Sequence, residues 1–348
     1  MKSPFSIGGR AIGPDCPPFV IAELSGNHNG SLERALAIVD AVADAGAHAI
    51  KLQTYTADTM TLRGAHRIED PNSLWYGREL YELYQEAYTP WEWHTPLFAR
   101  AKERGMLAFS SPFDESAVDF LETLDVPVYK IASFENTDWP LLRRVAATGK
   151  PVIMSTGAST LAEVADAVEV LRAAGCRELT LLKCTSTYPA TPENTNLRTI
   201  PHLAQLFPDC LVGLSDHTAG HGAAVAAVAL GASVVEKHVT LRRADGGVDS
   251  AFSLEPEELR DLVIETERAW QSLGNIQYGV QRAEAKSRLF KRSLYVAQDI
   301  APGEPFTAEN VRVIRPGDGL PPRYFDQVLG KTARQAMRAG TPLTWEAL

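Results

Sequence analysis

Two short stretches set imidazoles beside carboxylates at the ends of apolar runs. "LVGLSDHT" (211–218) ends on Asp216 and His217, and "VVEKHVT" (234–240) carries Glu236 and His238. One histidine at a strand end is usually a structural hydrogen-bonder, since both ring nitrogens find local partners. Two on successive runs, each near a carboxylate, point to a bound cation held by His217 and His238. With imidazole and oxygen donors and no thiolate, the expected ion is a labile Mn²⁺ or Mg²⁺ with open water positions, not a structural zinc.

Other apolar runs end in the same way. Glu23 closes "FVIAE", Lys51 and Gln53 sit in "HAIKLQT", and Ser111, Lys130, Ser133, Ser155, Ser186 and Ser215 fall at corresponding places. Residues two apart on a strand share a face, so Lys51 with Gln53, Ser215 with His217, and Glu236 with His238 should point the same way. A buried lysine or glutamate costs several kcal/mol unless paired, so these groups should line a wet, charged cavity. Lys51 and Lys130 fit three roles: internal ion-pair partners, an anion cradle, or a Schiff-base nucleophile. Hydroxyls at Ser111, Ser133, Ser155 and Ser215 favour the cradle, because an imine-forming lysine needs a drier setting.

The elements that must position these groups follow a rhythm. Eight β-rich runs recur at 19–25, 48–54, 106–113, 128–133, 151–157, 179–186, 211–218 and 234–240. Between most of them lie stretches of helical spacing such as "SLERALAIVDAVADAGA" and "LAEVADAVEVLRAAG". Ser31 is placed as an N-cap, and Gly46 and Gly175 fall where helices should stop. Eight such units predict an α/β fold, a (β/α)₈ barrel whose polar rim is the C-terminal end of the strands. An open doubly wound sheet is the competitor, but no GxGxxG follows the first strand. The long stretch 55–90, with "NSLWYGRELYELYQEAYTP", reads as an insertion over the barrel mouth. The barrel is expected over 1–273, a polar and basic linker over 274–289, and a small β-rich domain with Pro-Gly turns over 290–348.

Composition excludes several classes. The 348 residues are 45% hydrophobic and 22% charged, with a formal charge of −9. That balance argues against a broad nucleic-acid footprint, which needs clustered Lys and Arg. No run of about 18 uncharged apolar residues suggests a membrane span. The four cysteines lack zinc or disulfide spacing, so a reducing cytoplasm is the expected setting.

The ordered motifs "FVIAELSGNHNGSLERAL", "GAHAIKLQTYTADTMTL", "FSSPFD", "YKIASFE", "STGAS", "GLSDHT", "EKHVTL", "GVDSAFSLEP" and "IRPGDGLPP" resemble those of the sialic acid synthase family. "LYELYQEAYTPWEWH", "KIASFE" and "CTSTYPA" look most like its pseudaminic acid synthase branch. The resemblance spans almost the whole chain. It implies a TIM barrel followed by a domain similar to type III antifreeze proteins (SAF), and condensation of phosphoenolpyruvate with an N-acetylated amino sugar. By resemblance His217 and His238 hold the metal, while Lys51, Ser111, Lys130, Ser133, Ser155 and Ser215 embrace phosphoenolpyruvate. Glu23, Gln53, Glu135, Tyr188 and Asp249 would contact the sugar or its reacting oxygen. Arg315 of "IRPGDG" would reach an acetamido group from the other subunit of a domain-swapped homodimer. Ser186 replaces the Asn of the neuraminate branch and favours a diacetamido, 6-deoxy substrate. N-acetylneuraminate or legionaminate synthesis, a Schiff-base aldolase using Lys130, and a glycan- or ice-binding module on an inert barrel are the rival readings.

Overall fold

Apolar runs with no polar face need cover on both sides, and a closed parallel barrel wrapped in helices supplies it. In the computed structural model, which describes residues 4–348, an antiparallel pair comes first, β1 (Phe5–Ile7) and β2 (Arg10–Ile12). Eight parallel strands follow: β3 (Phe19–Glu23), β4 (Ala49–Thr54), β5 (Leu107–Pro112), β6 (Tyr129–Ile131), β7 (Val152–Ser155), β8 (Leu179–Cys184), β9 (Leu211–Asp216) and β10 (Val234–His238). They close into a barrel, with β10 returning to β3 so that Val234 faces Phe19 and His238 faces Glu23. The open doubly wound sheet is thereby excluded.

The outward side chains Val20, Ala22, Ile50, Leu52 and Val235 pack with Ile38 and Val39 of the helix Leu32–Asp44, Leu97 of Trp91–Glu103 and Leu262 of Pro256–Leu273. The helix signals act as read. Ser31 accepts a hydrogen bond from the Arg34 amide at 3.2 Å, and Gly46 and Gly175 take φ of +85° and +106° just beyond their helices. Inside the barrel, Gly213 is required by packing. A Cβ there would lie 2.4 Å from the Val234 carbonyl and 2.6 Å from Leu182 Cδ2.

The β1–β2 hairpin has no counterpart in the sequence reading, because three-residue strands are too short to show a period. Phe5, Ile7 and Ile12 join Phe19 and Ile21 in one core, at the end where the barrel strands begin. The insertion after β4 holds two short helices, Ala57–Met60 and Leu80–Ala87.

The chain divides into two units, one ending at Gly274 and the other Asn275–Leu348. The expected linker 274–289 starts at the residue that ends the helix Pro256–Leu273 and otherwise falls in the second unit, where the turn Arg282–Phe290 buries nothing. That unit pairs β11 (Ser293–Val296) with β12 (Val311–Ile314) over a core of Leu294, Val296, Ile300, Phe306, Val328 and Leu343. Cys16 and Cys184 are free thiols. Among the described residues no helix is long and apolar enough to cross a membrane.

Candidate active site

Alternation along parallel strands puts every second side chain inside the barrel, and at the C-terminal end those side chains are polar. They surround one cavity of about 310 Å³. Glu23, Lys51, Gln53, Ser111, Lys130, Ser133, Glu135, Ser155, Tyr188, Ser215, His217, His238 and Asp249 all line it. Two expected site residues stand apart. Ser186 is absent from the lining: its hydroxyl sits 3.7 Å from Cys184 Sγ and 2.2 Å from where a Cβ on Gly157 would be. Arg315 belongs to the second unit, exposed directly after β12.

The floor is a network of alternating charge. Lys51 Nζ lies 2.5 Å from Glu23 Oε2 and 3.8 Å from Glu236 Oε2, and donates to Ser111 Oγ at 3.3 Å. Lys130 Nζ donates to Glu236 Oε1 at 3.0 Å, and Ser215 Oγ donates to the same oxygen at 3.0 Å. Gln53 Nε2 donates to Glu23 Oε1 at 2.7 Å. Burial alone would push Glu23 and Glu236 up; Lys51 and Lys130 outweigh it and hold both carboxyls below their usual range. Burial likewise opposes the charge on Lys130, and Glu236 with Glu23 more than restores it. The lysines are therefore ion-pair partners and cavity walls at once.

Farther up the wall the carboxyls behave differently. Burial raises Glu135 to about 7 and Asp249 to about 6, the latter despite a hydrogen bond donated by Ser25 Oγ. Several buried polar atoms here have no hydrogen-bond partner: Glu236 Oε2, Ser155 Oγ, Glu135 Oε2 and His238 Nδ1. Native interiors satisfy nearly all such atoms, so four around one cavity mark a ligand site.

The two imidazoles stand side by side, ring centroids 5.3 Å apart. His217 Nδ1 is 3.0 Å from the Thr185 carbonyl, which can only accept; Nδ1 therefore carries the proton and leaves Nε2 unprotonated in the neutral ring. Burial lowers His238 to about 3, so its ring is neutral, with one nitrogen protonated and the other offering a lone pair. Their carboxylate neighbours differ from the sequence reading. Asp216 pairs with Lys237 at 2.6 Å on the outer side of the strands, and Lys237 also donates to the Thr218 carbonyl at 2.5 Å. Glu236 is taken by Lys130. The carboxylates near His238 are Glu23 at 3.5 Å and Asp249 at 3.9 Å. Among the described residues no group of three or more His, Cys, Asp or Glu is placed to hold a metal unaided.

Comparison with known proteins decides the family. The NeuB family model matches residues 38–278, and the SAF domain model matches 291–348. The chain belongs to the NeuB family. It is 45% identical over 328 residues to the pseudaminic acid synthase of Campylobacter jejuni, covering 93% of this chain and 95% of that protein. The pseudaminic acid synthase of Helicobacter pylori is 41% identical, covering 94% and 97%. The crystal structure of an N-acetylneuraminic acid (sialic acid) synthetase from Leptospira borgpetersenii superposes with a TM-score of 0.74 at 33% identity, covering 82% of this chain and 95% of that one.

Within this NeuB chain the sequence reading missed residues of the insertion and its neighbours. Trp75 Nε1 donates to the Val248 carbonyl at 3.1 Å, and its ring lies 5.9 Å from that of Tyr188, which in turn is 4.6 Å from His217. Cys184, also in the lining, sits 3.9 Å from His217 Nδ1. No periodicity signals Trp75, since the segment around it has no regular structure.

Proposed function

We propose that this chain condenses phosphoenolpyruvate with an open-chain N-acetylated amino sugar and water, giving a nonulosonic acid and phosphate. The sugar is 2,4-diacetamido-2,4,6-trideoxy-L-altrose and the product pseudaminic acid, as the names of the Campylobacter and Helicobacter relatives suggest. The observation that carries the reading is the cavity floor, where two ammonium groups and two imidazoles converge on unpartnered polar atoms.

C3 of the enol phosphate attacks the aldehyde carbon, whose oxygen ends with one of the two protons of the water consumed, relayed through Glu23, while the other leaves with phosphate. Positive charge then develops at C2, where water adds. Glu23, kept ionised beside Lys51, accepts the proton of that water. The resulting tetrahedral centre breaks its C–O bond to phosphate and becomes the ketone. Lys51 and Lys130, with Ser111, Ser155 and Ser215 nearby, hold the anion as it departs. Gln53, Ser133, Glu135, Tyr188 and Asp249 are read as binding groups around the two substrates. His217 and His238 would hold Mn²⁺ or Mg²⁺, the remaining positions going to water or substrate; such an ion would supply Lewis acidity to the aldehyde oxygen. The neutral ring of His238, whose Nδ1 has no hydrogen-bond partner, and His217, whose Nδ1 is engaged by the Thr185 carbonyl, fit that role.

We read the active form as a domain-swapped homodimer in the cytoplasm, with Arg315 of the partner subunit completing the acetamido pocket. The test is phosphate release with phosphoenolpyruvate and three sugars: the trideoxy altrose, N-acetylmannosamine and its 6-phosphate. Release with the first, abolished by EDTA and restored by Mn²⁺ or Mg²⁺, supports the reading. Undiminished turnover in EDTA removes the ion, and borohydride trapping of pyruvate on Lys130 replaces the synthase with an aldolase.

A further inference from the structure

The cavity has two chemically opposed walls. Its floor consists of strand-end side chains that are almost all charged or hydroxylic. The wall from the insertion is the reverse: Met60, Ile68, Trp75, Leu80, Leu83 and Tyr84 face the same space. No Asp, Glu, Arg or His between Asp58 and Glu86 lines it; the arginines are turned to other partners. Arg63 lies 4.2 Å over the ring of Tyr81, Arg67 donates to the Gly77 carbonyl at 2.5 Å, and Arg78 pairs with Glu86 at 2.5 Å. The one indole N–H on this wall is already used on Val248.

We infer that the 55–90 insertion is the specificity element of this site, an apolar roof that selects sugars carrying a terminal methyl and acetamido methyls over sugars ending in a hydroxymethyl or phosphate. The inference rests on the synthase reading and deepens it. A hydroxyl placed against Ile68, Met60 and Leu80 gives up its hydrogen bonds to water and finds none in return, which is costly in a closed site. A methyl in the same place gains contact and loses nothing. The roof is held to the reacting end by Trp75, which reaches Val248, next to Asp249, and leans on Tyr188. Specificity thus comes from the insertion and not from Ser186, which lies off the cavity.

The experiment compares kcat/KM for the trideoxy diacetamido altrose and for N-acetylmannosamine in wild type, Ile68→Asn and Met60→Gln, the second guarding against a folding defect in the first. A polar group in the roof should lower the preference for the deoxy sugar about tenfold or more, through KM. Equal losses for both sugars, with the preference intact, would show a merely structural role and overturn the roof while leaving the synthase standing. Should wild type release no phosphate with either sugar, the synthase reading fails, and tryptophan fluorescence decides the roof. Quenching by the deoxy sugar in wild type that is lost in Trp75→Phe upholds it; equal response to both sugars removes it.

Discussion

The barrel strands begin in one chemistry and finish in another. β3 starts at Phe19 and ends at Glu23; β10 starts at Val234 and ends at His238. At the starting end Phe5, Ile7 and Ile12 of the hairpin seal a dry core. At the finishing end Glu23, Lys51, Lys130 and Glu236 are each only 2–3% exposed. The difference teaches where this fold can bury charge. Oil packs around oil at one end, while at the other each ammonium is answered by a carboxylate, so that four ions stay out of water without one being alone. The two ends should therefore fail differently when cut.

The largest effect is expected from Lys130→Met. Phosphate release should fall at least about a thousandfold, with stability dropping by about 3–5 kcal/mol because Glu236 is left buried beside one distant ammonium. Lys130→Met with Glu236→Gln should recover the stability, read by urea unfolding, but not the turnover. A double variant as unstable as the single one breaks the ion-network half of the comparison. Glu23→Gln comes next, with kcat lowered about a hundredfold or more and its pH dependence altered; full turnover with an unchanged pH profile would remove the proton-transfer role.

At the opposite end, Ile7→Ala should cost about 2–5 kcal/mol in unfolding free energy through the void it leaves. Its kcat/KM should stay within about twofold, and a collapse of turnover in the folded variant would show that the ends are not separable. The smallest effect concerns Glu135, raised to about 7 by burial from an unfolded value of 4.5. A carboxyl whose folded pKa is the higher one favours the fold below its unfolded pKa, and that contribution is lost as pH rises through the folded value. Thermal stability of the ligand-free protein should thus decline between about pH 4.5 and 7, and Glu135→Gln should flatten the decline.

Much of this was legible in the chain. All eight barrel strands lie within the runs marked by apolar and β-branched residues, and two-residue spacing set Lys51 with Gln53 and Glu236 with His238 on the inner face. The same alternation should have sent Asp216 and Lys237 outward, yet adjacency in sequence made Asp216 look like a partner for His217. In a parallel strand buried on both faces, the inner and outer polar residues both interrupt apolar text, and only register separates them. The hairpin escaped because its strands are three residues long. The insertion over the barrel mouth was legible, but its lining side chains were not, because Ile68 and Trp75 lie in irregular chain, where side-chain direction follows from tertiary contact and not from a period.

The most direct test is a crystal of the protein soaked with phosphoenolpyruvate. Its phosphate should sit within hydrogen-bonding distance of both Lys51 and Lys130, with Ser155 Oγ now partnered. Phosphate bound elsewhere, with both ammonium groups still engaged only by Glu23 and Glu236, would contradict the central claim.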